Sequence, residues 1–126
     1  MAARAQRILI VDDNGVLRAL LAQALESAGY VAIPVDSGEA ALEVARFDPP
    51  DLCVVDQVMP GMSGAELVRA LRASADEHLR RIPVIGLSGM SGAERLLIEA
   101  GADAALPKPF REGPLLEMVQ RTLAGR

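Results

Sequence analysis

Five short apolar runs alternate with longer amphipathic segments along the whole chain. The runs cover residues 7–12, 30–35, 51–56, 82–88 and 102–106. Short apolar runs bounded by turn residues are typical of strands, whereas the segments between them carry apolar residues at helical spacing. Five strands separated by five helices predict an α/β fold in which helices cover both faces of a parallel sheet.

The order of the strands in that sheet follows from the composition of the runs. The segments ILIV and LCVV are apolar at every position, as expected of strands that are buried on both faces. Pro34 cannot donate a hydrogen bond to a neighbouring strand, so the second strand should lie at an edge. The last run has little apolar bulk and suits the opposite edge. A flavodoxin-like, doubly wound sheet of five parallel strands in the order 2-1-3-4-5 satisfies these constraints.

Local signals indicate where the helices begin and end. Ser63 and Ser91 are each followed three residues later by a glutamate, which predicts two capping boxes at helix N-termini. Ser37 is a candidate N-cap for the second helix. Gly29 and Gly101 stand where the first and fourth helices should stop.

Chain length and charge limit the class of protein. The 126 residues suit a single domain that spans residues 1–126. A net charge of −4 and an aromatic content of 2% argue against direct nucleic-acid binding, which normally needs a basic face or stacking aromatics. Since no apolar run approaches the roughly 18 residues of a membrane helix, membrane insertion is not expected.

The expected compartment follows from two further features. Cys53 is the only cysteine, so an internal disulfide is impossible and a reducing compartment fits the sequence. The segment MAARAQRILIVDD lacks the apolar stretch of a secretory signal peptide. We therefore expect a cytoplasmic protein.

Polar side chains fall at the ends of the predicted strands. Asp12 and Asp13 end the first strand, Asp56 ends the third, Ser88 ends the fourth, and Lys108 follows the fifth. The carboxyl ends of parallel strands share one edge of a sheet, and the first and third strands are neighbours where the winding reverses. A single aspartate at a strand end is more often a turn residue. The combination of all five predicts a functional site.

Three converging carboxylates would repel one another unless a cation lies between them. Carboxylate oxygens with a few retained waters are ligands that suit Mg²⁺. Lys108 adds a mobile positive charge, and the Ser88 hydroxyl adds an adaptable hydrogen bond. A nucleophile, a metal and a cation are the groups that phosphoryl transfer needs.

Four motifs now indicate a family. The sequence resembles the receiver domains of bacterial two-component response regulators in ILIVDDN, in VVDQVMPGMSG, in the Ser88–Gly89 pair and in GADAALPKPF. The resemblance covers nearly the whole chain, in order and in spacing. It implies the CheY-like fold and a phosphorylation-dependent signalling switch that catalyses only its own phosphorylation and dephosphorylation.

The resemblance also implies a role for each site residue. Asp56 would accept the phosphoryl group from a histidine kinase or a histidine phosphotransfer protein of a phosphorelay, forming an aspartyl phosphate. Asp13 would bind Mg²⁺ directly and Asp12 directly or through water, with the Val58 carbonyl as a further ligand. Lys108 would contact the phosphoryl oxygens, and the Lys108–Pro109 bond should be cis. Ser88 would hydrogen-bond the phosphate.

Two features modify that expectation. Receivers usually carry Tyr or Phe at the position of Ala105, so the unknown downstream protein target should be reached through loop or helix movement alone. Met1 favours a standalone receiver over an excised domain.

Two alternatives remain open at this point. A small haloacid-dehalogenase-like phosphatase would need an aspartate at position 14, where this chain has Asn14. The second is a flavodoxin-like adaptor module without phosphorylation. The presence of both Asp56 and Lys108 argues against it.

Overall fold

The protein folds around one parallel sheet, as seen in a computed structural model that describes residues 4–125. The strands are β1 (Arg7–Val11), β2 (Val31–Val35), β3 (Leu52–Asp56), β4 (Val84–Ser88) and β5 (Ala104–Pro107). The helices are α1 (Gly15–Ser27), α2 (Gly38–Phe47), α3 (Gly64–Arg72), α4 (Glu77–Arg80), α5 (Ala93–Ala100) and α6 (Glu112–Ala124). Within residues 4–125, no helix is both long enough and apolar enough to cross a membrane.

The strand order β2-β1-β3-β4-β5 confirms the predicted topology, and every pair of neighbours is parallel. Pro34 lies in the edge strand β2, where a missing amide is tolerated. β5 forms the other edge but begins two residues later than predicted. The reason is that Gly101, at φ +116°, ends α5 and the Ala102 amide still bonds back to the carbonyl of Leu97.

Helices cover both faces of the sheet, as the fully apolar strands predicted. α1 and α6 pack on one face through Leu21, Leu25, Leu115 and Val119. α2, α3 and α5 pack on the other face, and β3 and β4 are buried at every position. This burial fixes the carboxyl ends of β1, β3 and β4, which carry the predicted site.

The helix-start predictions were partly wrong. Ser63 and Glu66 do form a capping box, with hydrogen bonds of 3.2 and 3.0 Å, and Ser37 caps α2. The capping box predicted at Ser91 is absent, because α5 begins only after Gly92, whose φ of +86° turns the chain without a side-chain cap. The predicted number of helices also needs correction, since the short α4 forms between α3 and β4 within the described residues.

Candidate functional site

The turn after β1 holds two of the predicted carboxylates. Asp12 is fully buried and Asp13 is exposed. The Asn14 amide donates to Asp12 Oδ1 at 2.9 Å, and Asn14 Oδ1 accepts from two amides in the first turn of α1. Arg18 Nη1 donates to the Asp12 main-chain carbonyl at 2.8 Å. These bonds hold the Asp12 peptide and one of its carboxylate oxygens in place.

The second carboxylate oxygen of Asp12 differs from the first. Asp12 Oδ2 is buried and has no hydrogen bond to any residue in the described part of the chain. Burial raises the pKa of Asp12 above its ordinary 3.8, and the charges of Asp56 and Asp13 raise it further against the opposing effects of the Asn14 amide and Lys108. Buried polar atoms are rarely left unpaired. A cation at this position would supply the missing partner.

Asp56 and Lys108 complete the charged centre. One carboxylate oxygen from each of Asp12, Asp13 and Asp56 lies within 4.8 Å of the others. Lys108 Nζ contacts Asp56 Oδ1 at 2.9 Å, and Asp56 is 6% exposed at the end of β3. The Lys108 amide donates to the Ser88 carbonyl at 2.7 Å, and the Lys108–Pro109 bond is cis, as expected. The structure therefore places the three carboxylates and the ammonium together, as predicted from the strand ends.

Ser88 lies at the end of the neighbouring strand β4. Its side chain is nearly fully buried, and its hydroxyl donates to the Met90 carbonyl at 3.0 Å. Val58 lies two residues beyond Asp56, in the loop from residue 57 to residue 63. Its side chain is 56% exposed.

The sequence analysis overlooked Gln57 and Arg18. Gln57 follows Asp56 directly, and its side-chain oxygen accepts from the Ala65 amide in the first turn of α3 at 2.8 Å. A second polar residue directly after the strand-end Asp56 was a signal for Gln57. Arg18 offered no such signal, because arginines are common on exposed helix faces.

Comparisons with known proteins agree with this arrangement. The response regulator receiver domain model matches residues 8–120. The polar-differentiation response regulator DivK of Brucella ovis is 35% identical and aligns over 92% of this chain and 94% of its own length. The sensor histidine kinase GacS of Pseudomonas protegens is also 35% identical, but the match covers 94% of this chain and only 13% of that kinase.

A solved receiver-domain structure also resembles this chain. The receiver domain of a sensor histidine kinase from Pseudomonas aeruginosa, solved with a magnesium ion in its active-site cleft, superimposes with a TM-score of 0.87. The two chains are 31% identical, with coverage of 96% and 99%. Family, fold and the position of the acidic cluster thus decide against the phosphatase alternative. The chain belongs to the response regulator receiver domains of two-component systems, and it is a phosphorylation-dependent signalling switch rather than a metabolic enzyme.

Proposed function

We propose that Asp56 is the phosphoacceptor of this switch. The observation that carries the proposal is the geometry around Asp56, a nearly buried carboxylate within 4.8 Å of two others and 2.9 Å from the Lys108 ammonium. Asp56 is thus the one carboxylate of the three that pairs with a lysine and ends a fully buried strand.

We infer that Asp12, Asp13 and Asp56 hold Mg²⁺ together with the Val58 carbonyl. The buried Asp12 Oδ2, which has no partner among residues 4–125, supports this assignment. An all-oxygen donor set also suits a hard divalent cation. Bound Mg²⁺ supplies positive charge that offsets the three carboxylates and the negative charge on the phosphoryl oxygens. Receiver domains of this family typically bind Mg²⁺, in agreement with the donor set.

The chemistry of the proposal is a phosphoryl transfer. An oxygen of Asp56 attacks the phosphorus of a phosphohistidine, so that a P–O bond forms while the P–N bond breaks and the imidazole leaves with the electron pair. Lys108 Nζ, already at 2.9 Å from Asp56, stays beside the phosphoryl oxygens and offsets their charge.

A phosphoryl group on Asp56 would offer the Ser88 hydroxyl a second acceptor for its proton. A serine hydroxyl has one proton, and in the present structure Ser88 donates it to the Met90 carbonyl. A phosphate on Asp56 adds charge and new acceptor oxygens. If Ser88 turns to the phosphate, the Met90 carbonyl loses its donor and the loop from residue 89 to residue 92 is freed to shift.

The route from that loop to a partner leads through α5. Ala105 is paired with Gly86 in the sheet, and a Cβ on Gly86 would approach Leu97 of α5 to 2.5 Å. Leu97 therefore packs directly against the β4 backbone where no side chain intervenes. We infer that the signal leaves through a shift of the loop and α5, without an aromatic side chain at Ala105.

A near-complete switch from 1:99 to 99:1 requires about 5.5 kcal/mol of differential interaction. Amide NMR with and without beryllofluoride, a phosphate mimic, measures how far the change spreads. Amide shifts that extend from Ser88 into α5 would support this route. Shifts confined to the direct neighbours of Asp56 would refute it.

The proposal extends to the binding partners and the cellular compartment of the protein. Receiver domains act with histidine kinases and downstream proteins. We propose that residues 1–126 form a single receiver domain that acts in the cytoplasm, takes its phosphoryl group from a histidine kinase or a histidine phosphotransfer protein and then binds a protein target. The chain spans about an eighth of the kinase GacS but nearly all of DivK, so relatives of both architectures match it.

Mass spectrometry of the intact protein tests the proposal. Incubation with acetyl phosphate and Mg²⁺ should add a phosphoryl group, an increase of about 80 Da, and Asp56→Asn should abolish it. Asp36→Asn is the matched control, since Asp36 is exposed just beyond β2 at the same edge of the sheet. An adduct that persists in Asp56→Asn would overturn the assignment, and so would a wild-type protein that is never modified.

A further inference from the structure

Both ends of the loop that follows Asp56 are tied to one residue by hydrogen bonds. Gln57 opens the loop, and the residues directly after the loop bond back to Gln57. The Gln57 amide donates to the Leu87 carbonyl at 3.0 Å, and the Gln57 carbonyl accepts from the Gly64 amide at 3.0 Å. Its side-chain Oε1 accepts from the Ala65 amide at 2.8 Å. One residue thus joins β3 to β4 and to the first turn of α3.

The start of α3 presses against the peptide of the phosphoacceptor. A Cβ on Gly64 would lie 2.5 Å from the Asp56 carbonyl oxygen and 2.9 Å from the Cα of Gln57. Only glycine permits this approach. Gly64, the first residue after the loop, bonds back to Gln57, the residue before it. The conformation of the six residues 58–63 between them therefore depends on the bonds that Gln57 makes.

α3 does not need Gln57 merely to begin. Ser63 Oγ already accepts from the Glu66 amide, and Glu66 Oε1 accepts from the Ser63 amide, so a complete capping box is present. Gln57 caps a different amide of the same turn, and it does so from the position directly after β3. The two caps allow the effect of helix capping to be separated from the effect of loop position.

We propose that Gln57 is a positioning residue for the metal centre. Its side-chain bond to the Ala65 amide fixes the path of the loop after β3, and with it the position that the main-chain carbonyl of Val58 would take as a ligand. The inference rests on the proposed function, since Val58 is a ligand only if Mg²⁺ binds at this centre. It adds a residue that acts through the main chain of the loop and is not itself a metal ligand.

Isothermal titration of Mg²⁺ into the wild type, Gln57→Met and Ser63→Ala tests this role. Met has nearly the shape of Gln, but its thioether sulfur is only a weak acceptor for the Ala65 amide. Groups that orient metal ligands typically change affinity 10- to 100-fold when removed, so Gln57→Met should weaken Mg²⁺ binding about tenfold. Ser63→Ala removes a cap from the same helix and should leave the affinity within about twofold. Urea unfolding of both variants reports the loss of stability separately.

Equal affinity losses in the two variants would mean that Gln57 acts only as a cap, which overturns the proposal. Unchanged affinity in Gln57→Met overturns it as well. A loss confined to Gln57→Met, at a similar loss of stability in both variants, supports it. Wild-type protein that binds no Mg²⁺ would instead refute the proposed metal centre, so the two failures are distinguishable.

Discussion

Replacement of Asp12 by Asn should make the Mg²⁺-free protein more stable. Asp12 is fully buried, its Oδ2 lacks a partner within the described residues, and the carboxylates of Asp13 and Asp56 are close by. Asparagine keeps the oxygen that accepts from the Asn14 amide. It also replaces the unpartnered oxygen with an NH₂ group, which can donate to the neighbouring carboxylates. The substitution thus removes a buried charge and adds a donor where one is missing.

The size of the effect follows from the distances. At 4.8 Å, the upper limit of the separations between these carboxylate oxygens, two unit charges repel by about 3.5 kcal/mol at an effective dielectric constant of about 20. The ion pair between Lys108 and Asp56 offsets part of this repulsion, and the exposure of Asp13 screens another part. We therefore expect Asp12→Asn to raise the free energy of unfolding by about 1–3 kcal/mol.

The pH dependence has a definite sign. Because burial raises the folded-state pKa of Asp12 above 3.8, the wild type is penalised in full above that raised pKa. Below pH 3.8, Asp12 is protonated in both folded and unfolded states and the penalty disappears. The advantage of the variant should thus be largest at neutral pH and should shrink as the pH falls toward 3.8.

Urea unfolding in EDTA at several pH values is the assay, with Asp36→Asn as a control that should change stability by less than about 0.5 kcal/mol. Mg²⁺ at 100 times its Kd should stabilise the wild type by about 2.7 kcal/mol and the variant by less. A variant that is less stable than the wild type in EDTA at pH 7, or an advantage independent of pH, would refute the electrostatic reasoning.

Three further predictions concern the same edge of the sheet. Lys108→Met removes the cation that pairs with Asp56 at 2.9 Å, so Mg²⁺ should bind several-fold more tightly while phosphorylation by acetyl phosphate slows, as measured by titration and mass spectrometry. Gly64→Ala forces a methyl group against main-chain atoms and should cost about 1–3 kcal/mol in urea unfolding. Val58 and Met90 follow Asp56 and Ser88 by two residues and expose apolar side chains, which we expect to hinder an attacking water, so the aspartyl phosphate should persist for minutes rather than seconds after acetyl phosphate is removed.

Each of these predictions has a contradicting result. Weaker Mg²⁺ binding in Lys108→Met would show that the lysine does not compete with the cation. Unchanged stability in Gly64→Ala would mean that α3 can move away from the Asp56 peptide. Loss of the phosphoryl group within seconds would show that the apolar flanks do not exclude water.

The sequence predicted most of the fold because burial on both faces leaves a clear signal. The unbroken apolar runs of β1 and β3, together with Pro34 at an edge, were sufficient for the strand order. The misplaced start of β5 and the absent capping box at Ser91 have a common cause. Gly92 and Gly101 both adopt positive φ, and the turns they make displace the neighbouring elements by one or two residues.

The sequence predicted the parts of the candidate site that follow from strand topology. It did not predict the hydrogen bonds that individual side chains make to distant residues. Parallel strands necessarily bring Asp12 and Asp56 to one edge, so composition and order were enough to find them. The bond from Gln57 to the first turn of α3 depends on how the intervening loop folds back, which no local pattern encodes. The donation from Ser88 to the Met90 carbonyl likewise becomes visible only in three dimensions.

Direct mapping of the modified residue tests the central claim. The protein is phosphorylated with acetyl phosphate and Mg²⁺, reduced with borohydride to convert an aspartyl phosphate into homoserine, and digested for peptide sequencing by mass spectrometry. We predict homoserine at position 56 alone, with its yield abolished by EDTA. Homoserine at position 12 or 13, or modification that is independent of Mg²⁺, would contradict the assignment of Asp56 as the metal-dependent phosphoacceptor.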